Sequence, residues 1–182
     1  YRKIFGFPIE GYYEKLGFNL RQESFQETGL KFIRAYEKRC YEAELHQRVN
    51  AILHKLMSMN IKHYILSAQH QTLLDDLTNY YNVRKYFTDI IGLNNYYAHS
   101  KIDKGIEWMK EIGLDSLGVL LIGDTDHDFE VAQALGTDCL LLSHGHNSHS
   151  RLIDTGAPVI DKLKDIFHIF PLDLDTITAG NT

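Results

Sequence analysis

The stretch that decides the fold is Val119-Leu120-Leu121-Ile122-Gly123-Asp124-Thr125-Asp126-His127-Asp128-Phe129-Glu130-Val131. Four apolar residues lead through a glycine into three aspartates within five positions. A short apolar run that ends at a turn residue predicts a buried strand, and the apolar residues after the aspartates recur at helical spacing. The aspartates therefore belong to a loop between the carboxyl end of a strand and a helix. Open α/β sheets bind their ligands at this position.

The three aspartates of this loop predict a metal or phosphate site. Neighbouring carboxylates repel one another, and a hard cation such as Mg²⁺ relieves the repulsion because it binds oxygen ligands. Asp124 follows the strand directly and Asp128 lies one helical turn later. We therefore expect Asp124 to bind Mg²⁺ and Asp128 to hold it directly or through water, while Asp126 faces another side. Helix capping is the simpler alternative, but a cap needs only one acid.

Strands and helices alternate after residue 60, which predicts an α/β fold with a Rossmann-like parallel sheet and right-handed crossovers. The predicted strands are Lys62–Leu66, Thr88–Gly92, Gly118–Ile122, Asp138–Leu142 and Pro158–Ile160. The predicted helices are Gln69–Tyr81, Ile102–Ile112, Phe129–Leu135 and Asp161–Phe170, with a helical turn at Ser150–Asp154 and Asp161 as the N-cap of the last helix.

The first 60 residues contain only helical patterns, at Ile9–Leu16, Glu23–Arg39 and Glu44–Met59. We therefore divide the chain into a helical region over residues 1–43, an α/β core over 44–170 and an exposed tail over 171–182.

Composition excludes several classes of function. The chain has 182 residues, enough for one domain with a small insert. Its net charge of −5 gives no reason to expect nucleic-acid binding, and no apolar run reaches the ~18 residues that cross a membrane. Cys40 and Cys139 lie far apart, so a reducing, cytoplasmic location is the default expectation. The sequence is silent on the oligomeric state.

Two further residues stand at positions where a phosphate could bind. Ser67 follows the first predicted strand, where its hydroxyl and the free N–H groups of a helix start suit a phosphate oxygen, although capping is the simpler explanation. Lys101 lies in Ser100-Lys101-Ile102-Asp103-Lys104-Gly105 and could neutralise a phosphate as a point charge. The alternative for Lys101 is an ordinary solvated lysine at a helix start.

His144, His146 and His149 lie in one short loop, which raises the possibility of zinc. Their spacing matches no compact structural zinc motif and no cysteine is nearby, so we interpret residues 144–150 as a polar loop after a strand. The P-loop, the GxGxxG fingerprint and the GxSxG elbow are all absent from the sequence. Nucleotide-dependent phosphoryl transfer and serine hydrolysis therefore lose support.

Taken together, Ser67, Lys101 and the Gly123–Asp128 loop resemble the motifs of the haloacid dehalogenase-like (HAD) hydrolase superfamily, in its phosphoglycolate phosphatase-like branch. The resemblance covers about residues 45–168. It implies a Mg²⁺-dependent phosphatase that hydrolyses a small phosphorylated metabolite through an aspartyl-phosphate. It also implies that Ser67 and a lysine are catalytic and that Asp124 and Asp128 hold the metal. The Ser-Lys pair favours Lys101 as that lysine, whereas the Lys-Gly pair favours Lys104.

The family's nucleophile belongs to an Asp-x-Asp-x-Thr motif, which residues 1–60 do not contain. Residues 1–40 instead resemble the middle and end of the family's helical cap. We therefore expect the sequence to be a fragment that does not turn over substrate by itself. Alternatives are a non-catalytic binding or regulatory protein of HAD fold, and a metal-independent haloacid dehalogenase.

Asp173-Leu174-Asp175-Thr176 is a weaker candidate for the nucleophile, because Pro171 interrupts the segment before it, no convincing strand precedes it and only six residues follow it.

Overall fold

The fold is described by a computed structural model, which covers residues 1–22, 24–94 and 100–169. Its described strands are β1 Tyr64–His70, β2 Asp89–Leu93, β3 Leu120–Gly123, β4 Asp138–Leu142 and β5 Val159–Ile160. Its described helices are α1 Ile9–Lys15, α2 Phe25–Arg39, α3 Val49–Ser58, α4 Gln71–Tyr80, α5 Ser100–Glu111, α6 Asp126–Leu135, α7 His149–Ile153 and α8 Ile166–Ile169. Short 3₁₀ turns lie at Cys40–Glu42, Arg84–Tyr86 and Leu163–Asp165.

All pairs among the described strands are parallel, so the predicted α/β fold is confirmed. Within the described residues the strands form two sheets, β1-β2 and β3-β4-β5. In those sheets β1 pairs only with β2 and β3 pairs only with β4, so each has one edge without a partner strand among the described residues. The acidic loop lies at the end of one such strand and Ser67 lies on the other.

The β3-β4-β5 sheet forms the centre of the main core. Leu140 and Leu141 of β4 have no exposed surface, as expected for a strand covered on both faces. Ile52 and Leu56 of α3 pack against this sheet. On the other sheet, Trp108 of α5 packs with β2 and donates its ring N–H to Asp89 at 2.7 Å.

Several element boundaries differ from the predictions for local reasons. Helix α3 starts at Val49 rather than Glu44, because Arg48 has a left-handed backbone with φ 63° that ends helical continuity there. Helix α6 starts at Asp126 rather than Phe129, because Thr125 caps it. Strand β1 continues to His70, although its regular pairing with β2 ends at Leu66.

The C-terminal prediction was partly wrong. Residues 161–169 form a 3₁₀ turn and then α8 rather than one helix, and Lys162 precedes the turn. Asp161 is not a cap: its Oδ1 accepts hydrogen bonds from Ser143 Oγ at 2.5 Å and His149 Nδ1 at 3.1 Å. The tail and its Asp173–Thr176 motif lie outside the described residues, and the division into a helical region and a core stays a prediction.

No described helix is long and apolar enough to cross a membrane.

Candidate active site

Asp128 organises the acidic loop that connects β3 to α6. Its Oδ2 accepts three hydrogen bonds, from Asp124 N at 3.0 Å, Thr125 N at 3.0 Å and Thr125 Oγ1 at 2.7 Å. Thr125 Oγ1 in turn accepts from Asp128 N, which completes a capping box. Gly123 makes this arrangement possible, because a Cβ at that position would overlap the Asp128 side chain.

Lys101 reaches the same loop from α5. Its Nζ lies 2.6 Å from Asp128 Oδ1, and the two side chains are only 12% and 10% exposed. Burial by itself raises the pKa of Asp128, but the charge of Lys101 and the hydrogen bonds to that carboxylate lower it by more, so the net pKa lies below the ordinary value. Lys104 pairs instead with the exposed Glu107 on its own helix, at 3.2 Å. The structure therefore brings Lys101, and not Lys104, to the acidic loop.

Asp124 has one engaged and one free carboxylate oxygen. Oδ2 accepts a hydrogen bond from His146 N at 2.6 Å, whereas Oδ1 accepts none from the described residues. The Gly145 backbone approaches so closely that a Cβ there would overlap the Asp124 side chain. Asp124 borders a cavity of about 540 Å³. The cavity is lined by Tyr1, His46, Ile122, Gly123, Asp124, Leu142, His144, Gly145 and His146.

Asp126 faces away from these groups, as its position in the loop predicts. Its Oδ2 accepts hydrogen bonds from Arg151 Nε at 2.8 Å and Nη2 at 2.5 Å. The guanidinium group of this α7 residue thus binds the Asp126 carboxylate through two N–H groups. Asp126 is therefore committed to an ion pair between the acidic loop and α7.

Ser67 lies on β1 where regular pairing with β2 ends. Its Oγ accepts a hydrogen bond from Gln69 N at 3.1 Å, which leaves the hydroxyl proton available. The chain passes so close to Gly92 of β2 that a Cβ there would meet Gln69 O at 2.8 Å. The preceding residue, Leu66, packs close to Gly105 of α5, the helix that carries Lys101. Ser67 thus lies on the strand that packs against α5, the helix that carries Lys101.

The donor set at the acidic loop fits Mg²⁺ better than a transition metal. Nowhere in the described ranges do three or more His, Cys, Asp or Glu side chains gather in the manner of a metal site. Mg²⁺ does not require such a cage, because it commonly takes one or two carboxylates, several waters and a substrate phosphate. The free Oδ1 of Asp124 suits direct coordination, whereas both Asp128 oxygens are already engaged. Metal binding by the two aspartates stays a prediction.

The model of the family "Haloacid dehalogenase-like hydrolase" matches residues 1–142. The chain belongs to this family.

The relatives of this HAD-like chain carry phosphatase names. It is 29% identical over 160 residues to the phosphoglycolate phosphatase of Pseudomonas syringae pv. tomato, a match that covers 84% of the chain and 57% of the relative. The chain thus spans little more than half the length of that relative.

Solved structures confirm the HAD fold. A haloacid dehalogenase-like family hydrolase from Streptococcus pneumoniae superposes with a TM-score of 0.76 at 22% identity, over 91% of this chain and 77% of that one. A predicted phosphoglycolate phosphatase from Haemophilus somnus superposes with a TM-score of 0.69 at 17% identity, over 88% and 73%.

The sequence interpretation of this HAD-like protein missed the loop after β4. The sequence predicts only a polar loop over residues 144–150. In the structure, Gly145 and His146 contact Asp124, and Asn147 contacts both Asp124 and Asp126. The available signal was topological: β3 and β4 pair in parallel, so the loops after them meet at one edge of the sheet. Two of the three histidines, His144 and His146, border the cavity, and His146 also contacts Tyr1, whereas His149 binds Asp161.

The N-terminal segment also lies at the site. Arg2 Nε donates to Gly145 O at 2.9 Å and its Nη2 to Ser143 O, while the Tyr1 hydroxyl contacts His146 Nδ1. Burial, with the nearby Tyr12 and Asp124, raises the pKa of Tyr1 to about 12. Tyr1 thereby lines the cavity beside Asp124.

Proposed function

We propose that this chain carries most of the active site of a Mg²⁺-dependent phosphatase that hydrolyses a small phosphate monoester through an aspartyl-phosphate. The observation that supports it best is the buried Lys101–Asp128 pair, next to an Asp124 whose Oδ1 is free at the edge of a cavity. Membership in the HAD-like hydrolases and the phosphoglycolate phosphatase relative favour this class of reaction.

In this proposal each side chain has a distinct task. Asp124 holds Mg²⁺ through Oδ1, and Asp128 contacts it through water. Lys101 uses one ammonium proton for Asp128 and offers two to phosphate oxygens. Ser67 donates its free hydroxyl proton to another phosphate oxygen. When bound, Mg²⁺ offsets negative charge on the transferring phosphoryl group.

In this proposal the nucleophilic aspartate comes from outside residues 1–182, because these residues contain no Asp-x-Asp-x-Thr motif. We propose that it lies at the end of a strand between β1 and β3, each of which has one edge without a partner among the described strands. An apolar cavity of about 270 Å³ between α3, α4 and Ile65 of β1 would receive apolar side chains of that strand. Neither cysteine is a good replacement for the aspartate as nucleophile. Cys40 is buried. Burial, together with the nearby Asp128, raises the pKa of the Cys139 thiol to about 11.

Ion binding by this chain tests the metal assignment directly. Titration with Mn²⁺ as a paramagnetic stand-in for Mg²⁺ should show one site that Mg²⁺ displaces. Asp124→Asn should abolish that site, whereas Asp126→Asn, an identical charge change in the same loop, should keep it. Equal loss in both variants would indicate a diffuse effect of acidic charge and would contradict the assignment to Asp124.

Turnover tests the reaction. A polypeptide that includes the upstream Asp-x-Asp-x-Thr strand should hydrolyse p-nitrophenyl phosphate with Mg²⁺ and lose activity in EDTA or on Asp124→Ala. Full activity in EDTA would contradict the proposal.

The second candidate is a non-catalytic binding or regulatory protein of the same fold, favoured by the absence of the nucleophile motif from residues 1–182. Upstream codons that encode the motif would exclude it.

A cytoplasmic location stays a prediction, which the free thiols of Cys40 and Cys139 support.

A further inference from the structure

One buried side chain joins the loop after β4 to the acidic loop. Asn147 exposes none of its surface. Its Oδ1 accepts from Asp126 N at 2.9 Å, its Nδ2 donates to Phe5 O at 3.3 Å, and its backbone N–H donates to Asp124 O at 3.2 Å. The residue therefore links three segments that are distant in sequence.

The amide group of Asn147 satisfies both hydrogen-bonding partners of the side chain. Asp126 N–H needs an acceptor, and Phe5 C=O, which also accepts from Arg151 Nη1, takes a second donor; asparagine offers both groups on a short side chain. An aspartate at position 147 would keep the acceptor and lose the donor. An alanine would lose both and leave a buried N–H without a partner, which proteins rarely tolerate.

The anchoring of Asn147 determines what its neighbour can do. His146 directly precedes Asn147, and its N–H donates to Asp124 Oδ2 at 2.6 Å. Gly145 lies against the same carboxylate, where no side chain would fit. With Asn147 bound to the acidic loop on one side, the backbone of residues 145–146 holds Asp124 in one orientation and leaves Oδ1 free.

We propose that Asn147 is a positioning residue of this site, which fixes the Asp124 carboxylate for cation binding by clamping the loop after β4 to the acidic loop and to Phe5. The inference rests on the proposed function for its consequence, namely metal binding. Its structural part, the clamp, can be tested without metal. Outer groups that orient metal ligands typically change metal affinity by about 10–100-fold when they are removed.

Hydrogen exchange of the metal-free chain tests the clamp. In wild type the amide protons of Asp126 and His146 should be protected, because each is hydrogen-bonded within the site. Asn147→Ala should speed exchange at both by about tenfold, and Val131, buried in α6, should keep its protection. Asn147→Asp retains the acceptor for Asp126 N–H and should restore protection at that amide.

Mn²⁺ affinity tests the consequence. Asn147→Ala should weaken binding at least about tenfold with native far-UV circular dichroism. Ser148→Ala should leave affinity unchanged, because the hydroxyl of this next residue hydrogen-bonds only to Ser150 within the described residues. If the alanine variant does not fold, Asn147→Ser replaces it, since the shorter side chain loses both amide contacts.

The outcomes separate the two proposals. Unchanged exchange at Asp126 and His146 in Asn147→Ala overturns the clamp, whatever the metal result. Lost protection with unchanged Mn²⁺ affinity also overturns it, because the residue would then be merely structural. Lost protection in a chain whose wild type binds no Mn²⁺ supports the clamp and overturns the proposed function instead.

Discussion

The Nζ atom of Lys101 lies 2.6 Å from Oδ1 of Asp128, although the residues are 27 positions apart in the chain. The pair is almost buried, and three further hydrogen bonds hold the other oxygen of Asp128. The lysine is thus fixed by a carboxylate that is itself fixed by the loop. The acidic loop and α5, the helix that carries Lys101, are consequently coupled through this ion pair.

Lys101→Met should lower the free energy of unfolding by about 3 kcal/mol, because it leaves a buried carboxylate without its counter-charge. Urea denaturation at pH 7 measures the change. Lys104→Met is the matched control, since that lysine pairs with Glu107 at the surface and should change stability by less than about 0.5 kcal/mol. Equal effects of the two substitutions would contradict the special role of the buried pair.

The stability that Asp128 provides should depend on pH. Its pKa is lowered in the folded state, so its contribution is complete above the unfolded value, about 3.9, and disappears as pH falls through the folded value. The difference in unfolding free energy between wild type and Asp128→Asn should be constant above about pH 5 and shrink below about pH 4. Urea titrations from pH 7 to 3 measure it. A difference that stays constant over the whole range would show that the ionised form is not favoured.

Thr125→Ala should destabilise the chain by about 1–2 kcal/mol, because the hydroxyl both caps α6 and donates to buried Asp128. Thr125→Ser keeps the hydroxyl and should remain near wild type. Ser24→Ala removes the comparable capping box of the surface helix α2 and should cost less, about 0.5–1 kcal/mol. Thermal and urea unfolding measure all three variants, and a larger loss for Ser24→Ala would refute the ranking.

Gly145→Ala should weaken Mn²⁺ binding at least about tenfold, because a methyl group there overlaps the Asp124 side chain and forces one of them to move. Gly11→Ala is the control: it lies in α1 with open space around it and should gain about 0.5–1 kcal/mol of stability with unchanged Mn²⁺ affinity. Calorimetric titration provides both affinities. Normal binding by Gly145→Ala would mean that the carboxylate is not held as proposed.

Much of the fold was predictable because its signals are local. Strand β4 was predicted with the bounds that it has, since an apolar run between a glycine turn and a polar loop has few alternatives. The start of α3 was not, because the left-handed conformation of Arg48 has no signature in residue type. The same holds for Asp161, whose carboxylate binds Ser143 in the loop after β4 instead of capping its own helix.

The sequence by itself determined which residue types could carry the chemistry and their order: Ser67 directly after one predicted strand, a lysine at a helix start, and Asp124 and Asp128 at the end of another strand. These follow from residue types and spacing within one or two turns of chain. Only the tertiary structure decided that Lys101 rather than Lys104 meets Asp128, that Arg151 takes up Asp126, and that Gly145, His146 and Asn147 set the orientation of Asp124. The physical reason is that hydrogen bonds depend on the direction of N–H and carboxylate groups. Between segments far apart in the chain, only their packing fixes that direction.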